Sequence, residues 1–368
     1  MKQNRKKRMG LLMLIIILLV VLVAILLFMG KTSKKNEKIG FIITGRTNET
    51  GWNGMHYEGA KAACEELGAE LIVKENIKEK EGTCQKAIEE LADEGCNMII
   101  LTSYGYAEEA ESTIQKYPDI SFYCNSFNVH ADNITSYFSR MYQARYLAGI
   151  VAGMKTKTGH IGYVAAMPTS EVNRGINAFT LGVRKANPEA EVIVSWTGEW
   201  DNEKKERTLA DKLIQDKGVD VLTYHQNQSY VAQEAEKAGI YSIGYHQILK
   251  NHSDNYLTTV MGDWKLTYEA VIRQYIRGDS ADIKVYWVGM EEKAVKLADL
   301  SPLVSNDIKE EIKKATDQML AGQDVFSDEI YDNKGQLRCK KNQTIRDEIL
   351  LEHFDWYVRG VKFYGKQK

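Results

Sequence analysis

Lys38-Ile-Gly-Phe-Ile-Ile-Thr44 and, much later, His160-Ile-Gly-Tyr-Val164 decide how this chain is read. Each is a short apolar run with a glycine near its start, and each opens a series of the same rhythm. After Thr44 come a polar loop from Gly45 to Gly51, a helical pattern from about Asn53 to Leu67 and a strand over Leu71 to Lys74. A polar helix from about Lys80 to Glu94 then delivers the chain to a strand over Asn97 to Thr102. After Val164 the series restarts: helix Asn173 to Lys185, strand Glu191 to Val194, helix Glu203 to Gln215, strand Val219 to Tyr224, helix Ser229 to Ala238, strand Tyr241 to Gly244. Short apolar runs alternating with longer helical stretches predict parallel strands with helical crossovers on both faces of a sheet.

Two α/β units of one rhythm predict two lobes with a cleft between them. In an open α/β sheet the ligand sits outside the carboxyl ends of the strands, so two facing lobes enclose it from both sides. The expected division places residues 38–137 and about 262–288 in the first lobe. Residues 138–261 and part of 289–325 form the second, and 326–368 form a C-terminal hairpin and docking tail. A helix over Trp264 to Arg277, a strand over Lys284 to Val288 and a polar helix over Asp307 to Leu320 fit a return through both lobes better than an eightfold barrel. The tail predicts a short hairpin around Asn333 to Gly335, and His353-Phe-Asp-Trp-Tyr357 is apolar enough to dock on the body.

Residues 1–37 read differently. Leu11 to Met29 is a run of nineteen apolar residues without a charge, about 28 Å as a helix and close to the ~30 Å of a bilayer core. Lys2, Arg5, Lys6, Lys7 and Arg8 precede it, and Lys31, Lys34, Lys35 and Lys38 follow. No A-x-A cleavage pattern or lipid-bearing cysteine ends the run. The expectation is an uncleaved single-pass anchor over about 9–30, with a cytoplasmic basic stub and the remaining chain on the extracytoplasmic side of the cell membrane.

A formal net charge of -2, with 44% hydrophobic and 27% charged residues, supports a large core and lacks the basic excess of a nucleic-acid-binding protein. The five cysteines, Cys64, Cys84, Cys96, Cys124 and Cys339, match no metal spacing and read mostly as small buried apolar residues. A bridge from Cys64 to Cys84 or Cys96 is the alternative. There is no G-x-S-x-G, Walker A, H-E-x-x-H or G-x-G-x-x-G motif, so no catalytic residue, metal or cofactor is assigned, and an enzyme is the lesser reading.

Candidate ligand residues lie where strands end. Thr47-Asn-Glu-Thr-Gly-Trp-Asn53 offers the Trp52 indole and the Asn53 amide; the amide suits a heterocycle edge or a helix cap, and the indole a ligand face or lobe packing. Trp200-Asp201-Asn202 stands at a comparable place in the second unit. Trp52 and Trp200 together would sandwich a flat ring, with Asp201 or Asn202 on its polar edge. Tyr224-His225-Gln-Asn-Gln-Ser229 and Tyr245-His246-Gln247, strand-end amides and imidazoles, end the next two strands. His225, Gln226 and His246 are read as polar lining, since neither histidine has a metal-ligand partner at a recognised spacing.

At these residues the chain resembles the basic membrane protein family of solute-binding proteins, which includes purine nucleoside receptors. The resemblance runs from Lys38 to about Val361. It rests on Tyr137-Phe-Ser-Arg-Met-Tyr-Gln-Ala-Arg-Tyr-Leu-Ala-Gly-Ile-Val-Ala-Gly153, Ile161-Gly-Tyr-Val-Ala-Ala-Met167, Asn173-Arg-Gly-Ile-Asn-Ala-Phe-Thr-Leu-Gly182 and Asp355-Trp-Tyr-Val358. It implies a two-lobed type I periplasmic-binding-protein-like fold and an ABC permease as partner. It further implies three crossings between lobes, a purine nucleoside or related heterocycle as ligand, and a basic site residue at Arg174. A ligand sensor of the same fold without a transport partner is the alternative. The family's acidic ribose-binding residue, its glycine-rich loop and its lipid-bearing cysteine have no counterparts at Tyr245-His246-Gln247, at His225-Gln-Asn-Gln228 or at the N-terminus.

Overall fold

The computed structural model describes residues 37–278 and 284–365. In chain order the first part runs β1 (Lys38–Ile42), α1 (Trp52–Leu67), β2 (Glu70–Lys74), α2 (Thr83–Asp93), β3 (Met98–Leu101), α3 (Tyr106–Glu109), α4 (Glu111–Ile114), β4 (Ser121–Cys124) and β5 (Ile134–Ser139). Helix α5 (Met141–Lys155) leads into β6 (His160–Ala165), α6 (Ser170–Ala186), β7 (Glu191–Trp196), α7 (Glu203–Lys217), β8 (Val221–His225), α8 (Tyr230–Ala238), β9 (Tyr241–Tyr245) and β10 (Tyr256–Gly262). The chain then returns through α9 (Trp264–Arg277), β11 (Val285–Val288), β12 (Val295–Leu297) and α10 (Asn306–Leu320). It ends with β13 (Ile330–Tyr331), β14 (Leu337–Cys339), α11 (Asp347–Glu352) and β15 (Val361–Phe363).

Two sheets result. The first has the order β11-β5-β4-β3-β1-β2, parallel throughout; the second has the order β12-β10-β9-β8-β6-β7-β15, parallel except for β12 against β10. Strand order reverses at β1 in one sheet and at β6 in the other, and these are the two strands with which the sequence reading began. The early glycines have a packing reason. A Cβ on Gly40 would meet Leu91 Cδ1 at 2.9 Å, and one on Gly162 would meet Leu222 Cδ2 at 2.5 Å. Gly40 therefore lets Leu91 of α2 sit directly on its strand, and Gly162 leaves room for Leu222 of the neighbouring β8.

Crossover helices show why an amphipathic sequence folds this way. Helix α2 buries Cys84, Ala87, Ile88 and Leu91 at helical spacing, and α1 ends at Gly68, whose φ of 67° is the left-handed stop that glycine adopts without strain. The second lobe carries the tail: β15 adds in parallel to β7, and Asn177 Nδ2 donates to Trp356 O at 2.7 Å while its Oδ1 accepts from Val358 N at 2.9 Å. All five cysteines are buried free thiols, so the alternative bridge from Cys64 does not form.

The expected anchor over about 9–30 lies outside the described residues. Among the described residues no helix is long and apolar enough to cross a membrane. The longest, α6, has 17 residues and carries Glu171, Arg174, Arg184 and Lys185, whereas a span needs about 20 apolar ones. The single-pass topology, the membrane as a partner through that helix and the cell-membrane location are corrected accordingly and carry no later argument.

Candidate functional site

The carboxyl ends of both sheets face one cavity, with about 640 Å³ of empty space including its opening to solvent. From the first lobe it is lined by Thr44 and Gly45 after β1, Thr102, Ser103 and Tyr104 after β3, and Asn125 after β4. Glu49, Trp52, Asn53 and Lys78 complete that wall. From the second lobe come Glu171 in the first turn of α6, Trp200 and Asp201 after β7, His225, Gln226 and Asn227 at the end of β8, and Tyr245 at the end of β9.

Six of the nine sequence-predicted residues thus share one cavity: Trp52, Asn53, Trp200, Asp201, His225 and Gln226. Trp52 Nε1 donates to Thr102 O at 3.1 Å, so this indole has only its face left to offer. It is braced on His56, with ring centroids 3.9 Å apart, and His56 in turn on Trp264 at 3.7 Å. Asn53 is buried and does not cap α1, whose N-cap is Gly51; its Oδ1 accepts from Thr44 Oγ1 at 3.1 Å and its Nδ2 donates to Glu49 Oε2 at 2.8 Å. Trp200 Nε1 is a buried donor without a hydrogen-bond partner. Gln226 uses Nε2 on Thr197 Oγ1 at 2.9 Å and keeps Oε1 as a buried, unpartnered acceptor.

Three predicted residues lie elsewhere. Asn202 caps α7, accepting from Lys205 N at 3.0 Å. Arg174 is buried against the tail, donating to Leu350 O beside the Trp287 ring, and burial pushes its guanidinium below the usual range. His246 stands behind the cavity wall with a positive φ of 63°. It packs on Tyr245 at 3.8 Å and edge-on to Trp52 at 4.9 Å, so it joins the lobes without reaching the cavity. Burial holds the His246 imidazole well below its ordinary value of 6.5, helped by His56, and holds His56 itself well below as well. His225 is lowered by burial against the opposing pull of Glu171, whose Oε1 lies 3.2 Å from His225 Nε2.

Contacts between lobes run through the N-terminus of α1. Gly51 provides no side-chain cap, and Asn227 of the second lobe supplies one: its Oδ1 accepts from Trp52 N at 2.8 Å, and its Nδ2 donates to Asp201 Oδ2 at 3.1 Å. The approach is so close that a Cβ on Gly51 would fall 1.9 Å from Asn227 O. Glu171 and Asn125 were not singled out by sequence, and Asn227 and Tyr245 were read only as parts of the polar stretches that end β8 and β9. All but Glu171 stand at or just past a strand's carboxyl end, and that position was the available signal.

Two parallel sheets that present their strand ends to one shared cavity define a two-lobed ligand-binding protein. Residues 36–329 match the family model described as ABC transporter substrate-binding protein PnrA-like. The chain belongs to this family of substrate-binding proteins, and its role is binding, without catalysis. It is 31% identical to a purine-binding protein of Brucella abortus over 88% of this chain and 92% of the relative. A putative ABC transporter glucose-binding protein of Haloferax volcanii is 28% identical over 90% of this chain and 82% of the relative. The Bacillus subtilis transcriptional activator med is 27% identical over 76% and 87%. Among solved structures, a transcriptional activator of the comK gene from Bacillus halodurans matches with a TM-score of 0.66 and 25% identity over 78% of this chain and 98% of that one.

Proposed function

We propose that the interlobe cavity binds a purine base or related nucleoside-like heterocycle, and that the protein delivers it to an ABC permease. The observation that carries this reading is the placement of Trp52 and Trp200, one from each lobe, on a single cavity with Asn53, Gln226 and Asn227 beside them. Aromatic faces hold a flat apolar ring, and amides match an edge on which donors and acceptors alternate. Similarity to the Brucella purine-binding protein supports it. A sugar can also stack on an indole, so the Haloferax relative sets the comparison the experiment needs.

Calorimetric titration of the purified protein with adenine, adenosine and glucose tests the reading. Binding of a purine ligand, weakened at least about tenfold in Trp52→Ala and in Trp200→Ala, is the expected outcome. Unchanged affinity in both variants, or a preference for glucose, overturns it.

A second reading, a ligand sensor of the same fold, draws support from the likeness to the med activator. The two readings part at the partner. A transport component gives ligand-dependent stimulation of ATP hydrolysis by its permease in proteoliposomes; a sensor gives none.

A further inference from the structure

The charge on the cavity wall is lopsided. Glu49, Glu171 and Asp201 line it against one ammonium, Lys78. Glu49 accepts from Arg46 N at 2.9 Å on one oxygen and from Asn53 Nδ2 at 2.8 Å on the other, and Asp201, exposed at the rim, accepts from Asn227. Lys78 donates to Thr44 O at 2.8 Å. Glu171 differs, because its side chain is only 11% exposed and its one hydrogen-bonded neighbour is His225 at Oε1.

The partner defines what Glu171 can do. His225 is buried and its imidazole is held below the ordinary value, so near neutral pH the ring is uncharged. A neutral ring whose Nε2 faces a carboxylate carries its proton on that nitrogen and donates it. With Oε1 taken by that donor, the second carboxylate oxygen of Glu171 is left as an acceptor. Arg145 and Arg174 contribute positive charge around His225. Both are committed to main-chain carbonyls, Tyr224 O and Leu350 O, and neither lines the cavity. Next to the dyad, Gln226 Oε1 is a second acceptor without a partner, against Trp200 Nε1 as a donor without one.

We infer that Glu171, oriented by His225, is a specificity-determining residue that reads an exocyclic amine on the ligand. The site favours an amine-bearing, unphosphorylated heterocycle. A ligand edge richer in N–H donors than in acceptors satisfies Glu171 and Gln226 together, whereas a phosphate would bring like charge onto three carboxylates. Losing the amine leaves a largely enclosed carboxylate oxygen without its ligand partner, the situation in which binding sites discriminate most strongly. This inference rests on the cavity being the ligand site.

The test uses adenine, unsubstituted purine, adenosine and adenosine monophosphate, titrated calorimetrically into the wild-type chain and into Glu171→Gln and Glu171→Ala. Expected are wild-type binding of adenine at least about tenfold tighter than purine, binding of the monophosphate at least about tenfold weaker than adenosine, and collapse of the adenine preference to under about threefold in both variants. Equal wild-type affinity for adenine and purine, or an adenine preference that survives both substitutions, overturns the role of Glu171. The wild-type comparison needs no variant, so misfolding of either one leaves the inference exposed. Failure of every purine to bind the wild type counts against the proposed function itself, which separates the two.

Discussion

Glu206 lies on the buried side of α7, with Oε1 accepting from Asn202 N at 3.0 Å and Oε2 buried without a partner. Burial pushes its carboxyl up to about 7 from an ordinary 4.5. A folded value above the unfolded one means that the protonated acid suits the fold. The stability it contributes is complete below pH 4.5 and is lost as pH rises through about 7. Glu206→Gln cannot ionise, so its Tm relative to wild type should rise by roughly 2 to 5 °C between pH 5 and pH 8, as differential scanning calorimetry would read; a flat difference refutes the assignment. The same scale shows what the sequence could reveal of the site. Trp52 and Trp200 were legible because an indole in a polar loop past a strand has few uses. Glu171 was not, because a carboxylate in the first turn of a helix is also the commonest answer to the helix dipole, and only the fold sets it opposite His225. Asn202 and Arg174 misled for the converse reason: a helix cap and a tail anchor use the same residue types as a ligand edge.

Helices α5 and α6 meet backbone to backbone. A Cβ on Gly149 would lie 2.0 Å from Phe179 O, and one on Gly182 would lie 2.0 Å from Tyr146 O. Gly149→Ala should therefore destabilise by about 3 kcal/mol, the upper part of the usual overpacking range, because main chain cannot yield as a side chain can; urea denaturation would measure it. That close approach explains why the stretch ending Leu147-Ala-Gly-Ile-Val-Ala-Gly153 was so informative as sequence. The alternation of strands and crossover helices was legible for the same kind of reason, since buried strands and amphipathic helices have different periods. Strands β4 and β5 were harder. Ile134-Thr-Ser-Tyr-Phe-Ser139 is buried along its whole length, but Thr135, Ser136 and Ser139 break the apolar run that marks a central strand. The edge addition of β15 depends on a partner far away in sequence and left no local signal.

Across the whole molecule, the tail and the seam between lobes carry the remaining consequences. Phe326, Leu350, Phe354 and Trp356 belong to the second lobe's core, so a chain ending at Val325 should lose its cooperative thermal transition by circular dichroism. The seam buries His56 and His246, both held well below 6.5. For an imidazole whose folded value is depressed, stability is complete above about pH 6.5 and is lost progressively as pH falls from there toward the folded values. Ligand affinity should weaken from pH 7.5 to pH 5, and His246→Asn, which tolerates the left-handed backbone, should flatten that slope in calorimetric titrations. An identical slope in the variant removes His246 from the explanation. One contact at the seam bears on the open–closed equilibrium itself. The first turn of α1 obtains its cap from the other lobe, through Asn227. That cap contributes about 1 kcal/mol to the arrangement in which the lobes meet. A motion that draws the lobes apart leaves the helix end uncapped and must offset that loss. Gly51→Ala, by denying Asn227 its approach, would remove that contribution and shift the population toward arrangements in which the lobes stand apart.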